Sequence, residues 1–133
     1  MLARPMRDVF PEAQVHPSIS EKIAGYRKEQ VAAVKALIAA HRVLVVGMSQ
    51  NPFPKRARRL LDSKGVSYEY LGIGSYLGEW KRRLVLKMWT GWPTFPMIFV
   101  DGVLIGGYDD LARSVESGEL AATLSKPRAA SAS

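Results

Sequence analysis

The spacing of hydrophobic and polar positions changes several times along the chain, and each change marks an element. From Ser18 to about Ala40, the residues Ile19, Ile23, Tyr26, Val34, Leu37 and Ile38 recur at roughly helical spacing, which predicts one helix. Ser18 and Ser20 both suit the capping position, and Gly25 weakens the first turns by about 1 kcal/mol relative to alanine. His41 and Arg42 then fall at the helix C-terminus, where cations are favoured. Val43–Val46 is an unbroken apolar run closed by Gly47, the best central strand in the chain. From Pro52 to about Lys64 the period turns helical again. Phe53, Ala57, Leu60 and Leu61 share one face, and Lys55, Arg58, Arg59 and Asp62 the other. Asn51 suits the N-cap and Pro52 the first helical position. Pro54 falls in the first turn, where a missing N–H costs little, and Lys64-Gly65 closes the helix.

Ser67–Leu71 reads as a second, more polar strand near an edge, Gly72–Gly78 as a loop and Glu79–Trp89 as a further helix. Two short apolar runs follow, Met97–Val100 and Val103–Ile105, joined by Asp101-Gly102, a pair that suits a type I′ hairpin turn. Pro96 stands just ahead of the first run, where proline is tolerated and where a cis bond is an option. Gly106-Gly107 lets backbone approach closely, and Tyr108-Asp109-Asp110 opens an apolar-periodic segment with acidic residues at its positive end. Asp109–Ser117 and Glu119–Ser125 read as two short helices parted by Gly118. The order is helix, β-α-β, helix, β-β, helix. A β-α-β unit favours a parallel pair and the hairpin is antiparallel, so a four-stranded mixed sheet with helices on both faces is expected. Residues 1–17 read as a flexible arm with no clear period, 18–125 as one α/β domain, and 126–133 as a flexible tail.

Composition narrows the chemistry. The 133 residues include no cysteine, which removes disulfides, thiolate nucleophiles, and cysteine-ligated zinc or iron–sulfur sites together. No apolar run approaches the ~20 residues needed to span a bilayer. The first residues lack the apolar stretch of a secretory signal, so the cytoplasm is the expected compartment. Net charge is +7, and between Phe53 and Lys87 nine basic residues face three acidic ones. That bias suits a small or polymeric anion, or merely a well-solvated surface. His41 reads as a capping residue, and His16, before a proline in the arm, is no catalytic candidate.

Thr94-Phe95-Pro96, followed some ten residues later by Gly106-Gly107-Tyr108-Asp109-Asp110, resembles the glutaredoxin family, with its Thr-x-Pro loop and Gly-Gly-x-Asp turn. Trp92-Pro93-Thr94-Phe95-Pro96 resembles the monothiol branch in particular. The resemblance covers roughly His41 to Leu124. It implies a thioredoxin-like fold, with the N-terminal helix extending beyond the matched part. Over the family's Cys-Pro-Tyr-Cys it places Asn51-Pro52-Phe53-Pro54, so Asn51 stands for the nucleophile and Pro54 for the resolving cysteine. A neutral amide cannot attack a disulfide sulfur, and the cysteine that holds a cluster in monothiol members is the same one. Thiol–disulfide exchange and iron–sulfur transfer are therefore not expected, and no cofactor is.

What the resemblance still implies is a groove for glutathione or a similar small anion, lined by Asn51, Phe53, Thr94, Phe95, Pro96, Gly107, Tyr108 and Asp109. The Phe95 backbone would pair with the ligand's cysteinyl unit, and the N–H groups of Tyr108 and Asp109 would meet its γ-glutamyl carboxylate. The Asp109 side chain would hold the amine, and Arg83 and Lys87 would supply cations for the glycyl carboxylate. Met48 stands where the family has a lysine, which removes one cation. Trp92 is placed beside the groove, whereas Trp80 and Trp89 read as packing residues. Two other readings compete: a basic module that binds nucleic acid or an acidic protein, and a glutathione transferase-like enzyme using the hydroxyl of Ser49 or Tyr108. The first lacks a stacking platform and the second a base nearby in sequence.

Overall fold

A computed structural model describes residues 4–49, 51–74 and 79–128. The far ends of the expected arm and tail, Gln50, and the stretch 75–78 of the expected loop lie outside the described residues. The elements are α1 (Pro17–Gly25), α2 (Lys28–Ala40), β1 (Val43–Gly47), α3 (Pro52–Ser63), β2 (Glu69–Gly72), α4 (Trp80–Thr90), β3 (Met97–Val100), β4 (Val103–Gly106), α5 (Tyr108–Glu116) and α6 (Glu119–Leu124). A single 3-10 turn, Glu12–Gln14, precedes them.

The sheet runs β2-β1-β3-β4. β1 pairs parallel with β2 and antiparallel with β3, and β3 pairs antiparallel with β4. β1 is buried along its whole length because both sheet faces are covered. Its alternate side chains feed two cores. Leu44 and Val46 join Met97, Phe99, Val34, Val85 and Leu86 on the α2/α4 side. Val43 and Val45 join Ile98, Val100, Ala57, Leu61 and Leu111 on the α3/α5 side. The period of two in a strand thus divides one apolar run between two layers. This is the thioredoxin-like arrangement expected, with the additional N-terminal helix.

Local departures have identifiable causes. The helix expected over Ser18–Ala40 is two helices, broken after Gly25, with Arg27 in the left-handed region at φ 45°. The α1 cap is His16, not Ser18 or Ser20. Pro17 already occupies the first helical position, and the His16 ring nitrogen Nδ1 accepts from the Ser18 N–H at 3.1 Å. The second strand begins at Glu69 rather than Ser67. Arg128, in the segment expected to fray, donates to the Ala39 and His41 carbonyls at 3.2 and 3.3 Å. Asp101 and Gly102 both have positive φ, 48° and 82°, as a type I′ turn requires.

Arg42 does not serve its own helix. Its guanidinium grips the Asp101 carboxylate through Nε (2.9 Å) and Nη2 (2.8 Å). It also donates to the Leu124 and Thr123 carbonyls at the end of α6, at 3.2 and 3.3 Å. One side chain therefore ties the hairpin turn to the C-terminal helix. The hydrogen bond from Arg42 holds the Asp101 carboxyl below its ordinary range. Because the folded value is the lower one, this contribution is complete at neutral pH and is lost as pH falls below about 4. Asp101→Asn, which keeps the turn preference, is expected to lower the melting temperature at neutral pH and to flatten its fall between about pH 4 and pH 2. A melting series against pH checks this; superimposable curves for the two proteins would contradict it.

Candidate functional site

The site lies where the start of α3, the loop before β3 and the start of α5 converge. Asn51 caps α3: its Oδ1 accepts from the Phe53 N–H at 3.0 Å. Its Nδ2 donates to the Phe95 carbonyl at 2.9 Å. One amide thus bridges the helix start and the proline loop. The Phe95–Pro96 bond is cis, and both residues are buried. Gly107 follows β4 with no side chain, and a Cβ there would lie 3.6 Å from the Pro96 carbonyl and 3.7 Å from the Trp92 ring. Asp110 reaches back to accept from the Gly107 N–H at 3.0 Å. That leaves the N–H groups of Tyr108 and Asp109 in the first turn of α5, where a helix supplies no acceptor of its own.

Between these parts is an open cavity of about 490 Å³, lined by Asn51, Pro52, Phe53, Trp92, Thr94, Phe95, Pro96, Gly107, Tyr108, Asp109 and Asp110. Eight of the ten expected site residues therefore meet at one place. Phe53, which period puts on the face of Ala57 and Leu61 and the family resemblance puts in the groove, is 42% exposed and sets its ring 6.2 Å from that of Tyr108. The core face is instead formed by Pro54, Ala57 and Leu61, leaving Phe53 free to wall the cavity.

The two expected cations separate. Lys87 holds its ammonium 5.8 Å from the centre of the Phe95 ring, at the edge of the site. Arg83 does not line the cavity. It is buried on α4, and Nη1 donates to the Ile73 carbonyl at 3.2 Å. A cation that sequence reasoning passed over stands closer: the Arg56 guanidinium lies 5.1 Å from the Phe53 ring. Its signal was the three-residue spacing from Phe53, which puts both on one helix face. Met48 is buried among the α2/α4 core residues. Ser49 donates its hydroxyl to the Gly74 carbonyl at 2.8 Å, which gives it a structural task away from the cavity. Trp92 lines the cavity, and Trp89 packs on the core as expected, but Trp80 is half-exposed. Among the described residues no three His, Asp or Glu side chains gather to hold a metal ion.

In chemical terms the site offers the N–H groups of a helix first turn, the carboxylates of Asp109 and Asp110 (the latter accepting from the Gly107 N–H), an aromatic wall, and the cations Lys87 and Arg56 beside two of its rings. It holds no thiol, because the chain has no cysteine. The glutaredoxin family model matches residues 43–105. A glutaredoxin-like protein of Dictyostelium discoideum is 42% identical over 109 residues, covering 82% of this chain and 89% of the relative. This chain belongs to the glutaredoxin family. It is similar also to the bifunctional monothiol glutaredoxin-S16 of Arabidopsis thaliana, 44% identical over 69 residues; that match covers 52% of this chain but 24% of the longer protein. Among solved structures, a buckwheat glutaredoxin–glutathione complex superposes with a TM-score of 0.66 at 23% identity, covering 74% of this chain and 89% of that one. That likeness carries the fold. As a glutaredoxin, the chain is a cysteine-less member with Asn51 at the nucleophile position. No described helix is long and apolar enough to cross a membrane.

Proposed function

We propose that this glutaredoxin is a redox-inactive binding protein, which holds glutathione or a similar anionic ligand in the cavity between α3, the proline loop and α5. The observation that carries the reading is the double hydrogen bond of Asn51. An amide at the nucleophile position caps the helix and braces the Phe95 loop, so the groove keeps its shape after the loss of its thiol.

In this reading the ligand's peptide unit lies along Thr94–Pro96, over the buried face of Phe95. Its γ-glutamyl carboxylate takes the N–H groups of Tyr108 and Asp109, assisted by the helix dipole. The Asp109 carboxylate holds the adjacent amine. The glycyl carboxylate is drawn to the rim, where Lys87 and Arg56 stand. Arg83, turned onto Ile73, contributes through the framework rather than by contact. With a methionine at 48 and no thiol to bond to, affinity is expected in the millimolar to high-micromolar range, about 4–6 kcal/mol.

Calorimetric titration with reduced glutathione tests the reading. Saturable binding is expected, weakened about tenfold in Asp109→Ala, which removes one charge-assisted contact worth ~1.5 kcal/mol. A flat titration at millimolar ligand, or equal binding by the variant, would overturn it.

A further inference from the structure

On the opposite layer, two helices leave apolar stripes uncovered. On α4, Trp80, Leu84 and Met88 recur every four residues and are all exposed, Trp80 at 51% and Met88 at 56%. On α1, Ile19 and Ile23 do the same, Ile23 at 54%, and no residue of α1 is buried. Single exposed apolar residues are ordinary, but exposed apolar stripes on two helices that border one groove are not. One residue of each stripe, Ile23 and Met88, reaches an open groove of about 330 Å³, which is lined also by Val31, Val85 and Trp89. It shares no lining residue with the ligand cavity. Both α1 and α2 precede the residues matched by the family model.

The charges at this groove are of one sign. Lys28 and Lys35 line it, and no acidic residue does. Lys35 stands 5.8 Å from the Trp89 ring, and Lys81 stands 5.5 Å from Trp80 at the end of the α4 stripe. A second copy of this chain, with net charge +7, would bring like charge to the same rim.

We infer that the groove between α1, α2 and α4 docks an acidic amphipathic helix of a protein partner. The apolar face of that helix, with anchors at i, i+3, i+4 and i+7, lies against Ile23, Val31, Met88 and Trp89. Its flanking carboxylates meet Lys28, Lys35 and Lys81. Charge complementarity sets orientation and speeds encounter, and the apolar floor supplies most of the affinity. This interaction is independent of whether the other cavity holds glutathione.

The probe is a fluorescein-labelled peptide of about four helical turns, with leucine at the anchor positions and glutamate elsewhere. Its partner control has lysine in place of each glutamate. Anisotropy titrations at physiological salt are expected to show saturable binding of the glutamate peptide only. Met88→Glu, and separately Lys28→Glu with Lys35→Glu, are expected to weaken it about tenfold or more. Arg58→Glu with Arg59→Glu, on α3, is expected to leave it unchanged. All these positions are exposed, and circular dichroism verifies that each variant is folded. The inference is overturned if the lysine peptide binds equally, if the α3 reversals weaken binding as much, or if no binding saturates. It is overturned as well if sedimentation finds a dimer that Met88→Glu dissolves, or if anionic lipid vesicles bind in a Met88-dependent way.

Discussion

Asn51→Cys is expected to give this protein a reactive thiolate and measurable exchange with a glutathione mixed disulfide, where the natural chain has none. The position is prepared for an anion. Asn51 is extended at φ −109° and its side chain already accepts from the Phe53 N–H. The first turn of α3 holds no acidic residue, while Lys55 and Arg56 follow closely. A sulfur there would sit at the positive end of a twelve-residue helix. Its pKa should fall below the ordinary thiol value of about 8.5, into the range near 7 or lower. At neutral pH the thiolate fraction then rises from a few per cent to about half or more. The exchange attaches glutathione to the sulfur and releases the leaving thiol, which carries the displaced electron pair. Losing the amide removes both the cap and the bond to the Phe95 carbonyl, about 2 kcal/mol of stability together, which the fold should tolerate. Alkylation rate against pH gives the pKa directly. A thiol that titrates near 8.5 and performs no exchange would mean that the groove no longer presents this position to a glutathionyl disulfide.

Arg83→Ala is expected to destabilise the fold by about 2–3 kcal/mol and to leave glutathione affinity within about twofold of wild type. The guanidinium is 6% exposed and donates to the Ile73 carbonyl, where the chain leaves β2. Ile73 is itself buried, and its N–H donates to the Gly47 carbonyl at 2.7 Å. Truncation opens a void and strands a buried acceptor, the two most expensive kinds of local damage. The family resemblance implied a different role, a cation on the ligand's glycyl carboxylate. Denaturant melts together with glutathione titration separate the two. Unchanged stability with affinity lowered tenfold or more would show that Arg83 turns outward to the ligand.

The difference between these roles marks how far the sequence was legible. Strands with both faces buried announce themselves as continuous apolar runs, so β1 and β3 were readable, and Asp101-Gly102 named its own turn. The family motifs named the loop and the start of α5. Residues whose placement depends on a distant partner were not readable. Arg42 follows a helix in sequence but works 59 residues away on Asp101. Period alone puts Phe53 on the apolar face of its helix, and it was the family resemblance that placed it at the groove, where it walls the cavity while Pro54 and Ala57 take the core positions. The left-handed Arg27 splits a helix that periodicity draws as continuous, and Gly25 was the local hint. The β4 irregularity, which pairs Ile98 with Gly106 but Phe99 with Leu104, leaves Ile105 without a partner and has no signature in composition.

The central claim is a ligand groove that survives the loss of its thiol, and amide-resolved NMR titration with reduced glutathione tests it most directly. The account predicts saturable shifts at the backbone amides of Phe95, Tyr108 and Asp109 and at the Asn51 side-chain amide, with one common midpoint in the millimolar range or below. Absence of shifts at millimolar glutathione, or shifts confined to residues outside this cavity, would contradict it.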